Sequence, residues 1–337
     1  MLSRERIAEA FGLLGDRLAG FGADAGSRQV VERAAEANPW FMPGDIVRAV
    51  GAVCDRMLDR EALAAWLSRY PQAEASKNVA VVAAGNVPFV GFFDVLCVLA
   101  SGHRCLARFS SKDTVLMEYV CGLVSDIEPE LAVAPYRDQA ADAAIATGSD
   151  NTNRYFRARF AGIPALLRGN RASVAVLTGH ETLEQLTGLA DDIFAYSGLG
   201  CRNVSRLLVP RGYDIGALAR TLDIYDPVNP RYRNNFRQRS AVLRMQGVEA
   251  VYGGFFVLHA HEGFAADVSE ITYSSYHDPA QARRWLAAND PQIQCVVHDP
   301  AATGFDCPRQ AVFGQAQRPS LTDYPDGRDI MEFLARV

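Results

Sequence analysis

From residue 78 onward the chain alternates short apolar runs with amphipathic stretches of roughly 10–15 residues, and that alternation restricts the folds open to it. NVAVVAA (78–84) reads as a buried strand, FVGFFDVLCVLAS (89–101) as a helix and RCLARF (104–109) as a second strand. SSKDTVLMEYVCGLVSDI follows as a helix opened by serine caps. AADAAIAT (140–147), PALLR (164–168) and ASVAVLT (172–178) supply further strands. Strands separated by helices predict βαβ units and a mostly parallel sheet, an α/β fold.

The alternation resumes further on. HETLEQLTGLADDIFAYSG is a helix by spacing and RLLVP a strand. A second α/β portion follows, with YDIGALARTLDIY and PAQARRWLAA helical and GGFFVLHA, EITYSSYH and IQCVVH as strands. DPVNPRYRNNFRQR (226–239) is the most loop-like stretch, its arginines read as a solvated face. Ahead of residue 78 the periodicity is helical: Ile7, Phe11, Leu14 and Leu18 share one face, as do Ile46, Val50, Val53 and Met57. Asn38–Pro43 reads as a turn, with Pro43 in the first turn of the second helix. At 337 residues, two domains are expected rather than one core.

Composition narrows the function classes. A formal charge of −5 argues against nucleic-acid binding, which needs a basic surface. No apolar run reaches the roughly eighteen residues of a membrane span. The start, MLSRERIAEAFGLLG, lacks a signal-peptide core, so a cytoplasmic location is expected. The seven cysteines contain no CxxC pair, which disfavours a disulfide framework or a cysteine–zinc site. There is no HExxH; His259 and His261 alternate on a strand but lack further ligands, so no metal is expected. The only lysines are Lys77 and Lys112, and neither stands out as a Schiff-base nucleophile.

Three loops carry unusual chemistry and are read as leaving strands at their carboxyl ends, where parallel sheets bind ligands. In AAGNVPF (83–89), Asn86 is either a helix cap beside the turn at Gly85 or a donor to a developing oxyanion. In ATGSDNT (146–152), Gly148 and Ser149 either cap a helix or hold a phosphate at its amino end. In SGLGCRNVSR (197–206), Gly198 and Gly200 precede Cys201, and Arg202 and Arg206 would favour its thiolate. The alternative for Cys201 is a small buried hydrophobe, the reading accepted for Cys97, Cys121 and Cys295. His180 reads as a helix start that could also approach a ligand, and Phe313, Gly314 and Gln315 as a turn or as pocket lining.

Taken in this order, NVAVVAAGNVPFVGF, SGHRCLARFSSKDT, IATGSDNTNRYF, RGNRASVAVLTG, SGLGCRNVSRLLVP and FGQAQRPSLTDYPDG resemble segments of the aldehyde dehydrogenase superfamily. The resemblance is greater to its acyl-CoA reductase branch, related to the bioluminescence fatty-acid reductases. It implies an aldehyde dehydrogenase-like fold: two α/β domains with mostly parallel sheets behind a helical N-terminal segment. The segments expected are 1–75 (helical), 76–178 (NAD(P)-binding, Rossmann-like), 179–310 (catalytic, with the cysteine loop) and 311–337 (C-terminal).

The resemblance also implies Cys201 as nucleophile and Asn86 as oxyanion donor. It implies cofactor contacts from Gly85, Arg108, Ser110, Gly148 and Ser149, with Glu270 against the nicotinamide ribose. Arg104 and Arg108 favour NADPH, with NADH as the alternative. Where oxidising members carry a water-activating glutamate before paired glycines, this chain has Leu167-Arg168-Gly169-Asn170. The implied reaction is reduction of an acyl thioester, on coenzyme A or a carrier protein, to an aldehyde. The implied partners are that thioester, an acyl-donating enzyme or carrier protein, and a second copy in a homo-oligomer. An acyl-phosphate or amino-acyl reductase, a cysteine-dependent acyltransferase without hydride transfer, and a catalytically silent member of a multienzyme complex are the alternatives.

Overall fold

Helices lead because apolar residues recur every three or four positions. In the computed structural model, which describes residues 2–225, 229–302, 305, 307 and 309–337, α1 (Arg4–Leu18) buries Ile7, Phe11, Leu14 and Leu18. Ser3 caps it by accepting the Arg6 amide. Asp24 caps α2 (Ala25–Ala37), Pro43 opens α3 (Pro43–Met57), and Asp59 caps α4 (Arg60–Leu67). The chain divides into two units: residues 1–170 with 318–337, and residues 171–317.

After α4 the first unit continues with β1 (Asn78–Val82), α5 (Phe92–Ala100), β2 (Arg104–Arg108), α6 (Thr114–Ile127) and β3 (Ala134–Pro135). β4 (Ala143–Thr147), α7 (Asp150–Arg159) and β5 (Ala165–Arg168) complete its sheet, ordered β3-β2-β1-β4-β5 and parallel throughout. Val79, Ala80 and Val81 are inaccessible to solvent, so β1 is covered on both faces, which explains its unbroken apolar run. Crossovers through α5 and α6 run one way from β1, while α7 leads the other way from β4. The strand order therefore reverses at the carboxyl ends of β1 and β4, the usual ligand crevice of such sheets.

Two buried carboxyls shape this unit. Asp94 on α5 pairs with Arg168 at the end of β5, both side chains almost fully buried. Removing either partner of such a pair costs about 3–5 kcal/mol, because the other charge is stranded. Asp113, just ahead of α6, accepts the Phe89 amide at 3.0 Å and so fixes the loop that follows Asn86. Phe89 needs fixing, since its φ of 63° lies in the left-handed region. Burial pushes the Asp113 carboxyl up to about 8, against the opposing pull of the Phe89 bond.

The second unit begins with β6 (Ala172–Val176), α8 (Leu183–Phe194), β7 (Val204–Pro210), α9 (Ile215–Leu222) and α10 (Pro230–Met245). It continues with β8 (Ala250–Tyr252), β9 (Val257–Ala260), β10 (Glu270–Tyr276), α11 (Pro279–Asn289), β11 (Ile293–Val297) and β12 (Gln310–Ala311). The sheet order is β12-β11-β6-β7-β10-β9-β8, and only the β8–β9 pairing is antiparallel. β6, grouped by the sequence with the first α/β domain, pairs instead with β7 and β11. Arg171 secures that crossing by donating to the carbonyls of Asp290 and Ile293.

The expected loop at 226–239 is corrected: it is helical from Pro230 onward, while 226–228 lie outside the described residues. Asn229 caps α10 through the Arg231 and Tyr232 amides, and Pro230 occupies the first position. The chain then returns to the first unit with α12 (Ile330–Leu334). There Tyr324 accepts the Trp66 indole at 2.7 Å, and the Tyr70 hydroxyl donates to Asp329 at 2.7 Å. No described helix is long and apolar enough to cross a membrane.

The Asp113 carboxyl keeps its proton in the fold up to about pH 8 but loses it near pH 4 when unfolded. The folded chain therefore binds more protons across that window, and stability falls as pH rises through it. An Asp113→Asn variant is expected to lose less unfolding free energy than the parent between about pH 5 and pH 8 in urea titrations. Identical slopes would contradict the assignment.

Candidate active site

The cysteine loop is built on a left-handed turn. α8 ends in a short tight helix in which Tyr196, Ser197 and Gly198 have φ of 54°, 55° and 67°. For the two non-glycine residues this costs about 1–2 kcal/mol each, so neighbouring groups must hold it. Asn203 does so from a fully enclosed position, 3% exposed. Its side-chain N–H groups donate to the carbonyls of Asp192, Ile193 and Ala195 at 2.9–3.1 Å. Its Oδ1 accepts the Gly200 amide at 2.8 Å, and its own amide returns a bond to Gly200 O at 3.0 Å. Ser173 Oγ donates to the Cys201 carbonyl at 3.0 Å. A Cβ at Gly198 would lie 3.1 Å from Val268 O, a second reason for glycine there.

Cys201 itself is exposed, whereas Cys97, Cys105 and Cys295 are buried and burial raises the thiols of Cys97 and Cys105 well above their ordinary value. The sequence put this loop at a strand's carboxyl end, and that is corrected. It follows a helix and precedes β7, so it lies at the amino-terminal edge of the second sheet. Arg206 is corrected too. It is fully buried, donates to His261 O, Gly263 O and Ser274 Oγ, and stacks on Trp285 at 4.9 Å, so it serves the core rather than the thiol. Arg202 donates to Ala316 O at 3.4 Å.

The segment touching Gly198 is itself anchored. Asn235 on α10 donates to Asp267 at 2.6 Å and accepts from Ser269 at 2.6 Å. One turn on, Arg239 Nε donates to Glu270 Oε2 at 2.7 Å, while His259 Nε2 meets Glu270 Oε1 at 2.6 Å. Burial would raise the Glu270 carboxyl, but those two partners more than offset it and hold it below its ordinary value. Glu270 thus shares the edge of the sheet with the cysteine loop, both oxygens engaged. Asp192, inaccessible to solvent, accepts the Gly314 and Ala316 amides at 2.7 and 3.0 Å and fixes Phe313–Gln315 as a turn against α8. Burial pushes its carboxyl up to about 7 despite those bonds. His180 is exposed beyond β6, at the opposite edge from Cys201.

The remaining positions line the carboxyl edge of the first sheet. Gly85 lets the β1 loop approach the β2 loop, since a Cβ there would lie 2.6 Å from Ser110 Cβ. Arg108 pairs with Asp138 at 2.7 Å and lies over the Tyr136 ring at 5.2 Å. Ser149 caps α7 through the Thr152 amide, and Gly148 gives way to Thr152 and Phe156. Leu167 packs with Phe156 and Phe160 on one face of β5, opposite the Asp94–Arg168 pair. Among the described residues no three His, Cys, Asp or Glu side chains form a metal site.

Two mostly parallel sheets of this topology, with a cysteine after Gly-Leu-Gly at the edge of one and a strand-order reversal in the other, are the architecture of an aldehyde dehydrogenase-like fold. The sequence matches the acyl-CoA reductase (LuxC) family over residues 51–248, more than half the chain, and the protein belongs to that family. It is an oxidoreductase acting on an acyl or aldehyde group. The fold is similar to aldehyde dehydrogenase 21 from Physcomitrella patens, crystallised with succinate (TM-score 0.70, 11% identity, 99% of this chain and 84% of that one). It is also similar to an NAD-dependent aldehyde dehydrogenase from Sinorhizobium meliloti (0.65, 12%, 90% and 71%). A third is the betaine aldehyde dehydrogenase of Staphylococcus aureus in complex with NAD+ (0.63, 11%, 88% and 70%). A search of curated sequences finds no match.

Asn203 gave no signal in sequence, because its acceptors converge only when α8 ends where it does. Truncation in Asn203→Ala leaves buried carbonyls unpaired, each costing about 1–3 kcal/mol. Denaturant unfolding is expected to show a loss of about 2 kcal/mol or more. Ser173→Ala, which frees only the Cys201 carbonyl, is expected to cost about 1 kcal/mol. Equal, negligible losses in both would contradict the clamp.

Proposed function

We propose that the protein reduces an acyl thioester to an aldehyde through a thioacyl intermediate on Cys201. The observation that carries this reading is an exposed cysteine on a clamped loop in a chain with leucine at 167, the position of the water-activating glutamate in oxidising relatives. The Cys201 thiolate attacks the thioester carbonyl and forms a new carbon–sulfur bond. The tetrahedral oxyanion accepts from the Asn86 amide and the Cys201 N–H, and its collapse expels the carrier thiolate, which takes up a proton. Holding the acyl group covalently keeps it in place after the bulky thiol departs.

The first unit fits a dinucleotide at the β1/β4 reversal, with Gly85, Arg108, Ser110, Gly148 and Ser149 on adjacent loops. Ser149 opens a ten-residue helix, and Arg108, half-buried and paired with Asp138 at the end of β2, is the cation on these loops that favours NADPH over NADH. When bound, the reduced nicotinamide supplies a hydride to the acyl carbon. The resulting thiohemiacetal expels Cys201 as thiolate and releases the aldehyde. Leu167 has no basic group to take a proton from water, so hydrolysis of the thioacyl group is unassisted there. Glu270 enters as an anchored carboxylate beside the cysteine loop rather than as a free ribose ligand. A reducing cytoplasm suits the exposed thiol.

Oxidation of NADPH that depends on an added acyl thioester, with aldehyde as product, tests the reading. Cys201→Ser is expected to abolish it, and Asn86→Ala to lower kcat by about 10²–10³-fold. Full turnover in Cys201→Ser would overturn the covalent route.

A further inference from the structure

Arg108, the cation that favours NADPH, does not act alone. β3 lies beside β2, with Ala107 opposite Pro135, so the loop leaving β3 meets the loop leaving β2. Asp138 on that loop accepts Arg108 Nη2 at 2.7 Å. Arg159, the last residue of α7, donates to the Asp138 carbonyl at 2.7 Å and brings its Nε to 3.6 Å from the carboxylate. Asp138 thus sits between two guanidiniums from different elements, at a φ of 63° that aspartate tolerates better than most residues. The hydrogen bond from Arg108 holds its carboxyl below the ordinary value, so it is charged at neutral pH. The pair is open to a ligand: the Arg108 and Asp138 side chains are 40% and 49% exposed. Tyr155, one turn ahead of Arg159 on α7, is 56% exposed and close enough to Arg108 to act on it electrostatically. An exposed aromatic ring beside a cation offers a purine a stacking face and its ribose phosphate a charge.

We propose that Asp138 sets the coenzyme preference: it competes with the 2′-phosphate of NADPH for Arg108 and accepts the 2′-hydroxyl of NADH. The inference rests on the reductase reading and names the residue that tunes its coenzyme. In sheets of this kind a carboxylate serves a ribose hydroxyl and an arginine a ribose phosphate. Here one ion pair holds both groups. Arg108, Arg159 and Asp138 together carry a single positive charge, against about two negative charges on a phosphate monoester. Binding of the 2′-phosphate therefore requires Asp138 to release Arg108. Arg159 permits that release, because it keeps a cation beside the carboxylate once Arg108 has turned to the phosphate. With a 2′-hydroxyl no release is needed, and the ion pair stays intact. Because an exposed pair contributes little stability, its opening blunts the preference for NADPH without abolishing it.

Equilibrium binding of NADPH and NADH to the full chain, read from nucleotide fluorescence, tests this without turnover. The parent is expected to bind both. Asp138→Asn is expected to raise the ratio of the NADH to the NADPH dissociation constant about tenfold, mainly by tightening NADPH, and Arg108→Gln to lower it about tenfold. Asparagine still accepts a hydroxyl, so NADH binding is retained and shows that the variant is folded. In competition with NADPH, adenosine 2′,5′-bisphosphate is expected to bind more tightly to Asp138→Asn than to the parent. Adenosine 3′,5′-bisphosphate, the matching end of coenzyme A, is expected to be unaffected. A ratio that stays the same or falls in Asp138→Asn overturns the proposal. Tightening of the 3′,5′-bisphosphate alone also overturns it and would assign the pair to coenzyme A. Failure of the parent to bind either coenzyme would overturn the reductase reading and the selector together. The expected change in ratio without any thioester-dependent NADPH oxidation would support the selector and overturn the reductase reading alone.

Discussion

The structure of the cysteine loop depends on one buried amide. Asn203 gathers three carbonyls at the end of α8 and the amide of Gly200, and so keeps Tyr196, Ser197 and Gly198 in a conformation the chain would otherwise leave. The turn in turn presents Cys201 to solvent while its carbonyl is tied to Ser173. A reactive thiol on a loose loop would sample many directions. Here the backbone on both sides of it is fixed by hydrogen bonds from enclosed groups, which is the kind of support a reacting side chain needs.

The two units use opposite edges of their sheets. In the first, the informative loops leave the carboxyl ends of β1, β2 and β4, as expected where strand order reverses. In the second, Cys201 and Glu270 stand at the amino-terminal edge, before β7 and at the start of β10. Family membership gives acyl or aldehyde chemistry. Leu167, packed beside Phe156 and Phe160, is an aliphatic side chain and cannot serve as a base.

Much of this is legible in the amino-acid sequence. β1 and β4 announced themselves because strands covered on both faces tolerate no polar interruption. Cys201 stood out because its neighbours were glycine and arginine rather than aliphatic. Other features were hidden for physical reasons. α10 looked like a loop because Arg, Asn and Gln crowd it, although Tyr232, Phe236, Ser240 and Leu243 keep a helical interval. β6 follows the strands of the first sheet in sequence yet joins β7 and β11, because an apolar run does not record which sheet it enters. Arg206 looked like a partner for the thiol by proximity in sequence, yet strand geometry turns it into the core against Trp285.

The central claim is that Cys201 carries the acyl group. Incubating the protein with an acyl thioester in the absence of reduced nicotinamide, followed by peptide mass spectrometry, tests it directly. The expected result is a single acyl adduct on Cys201 that disappears when NADPH is added. Labelling of Cys54, Cys121 or Cys307 instead, or no adduct at all under conditions that support turnover, would contradict it.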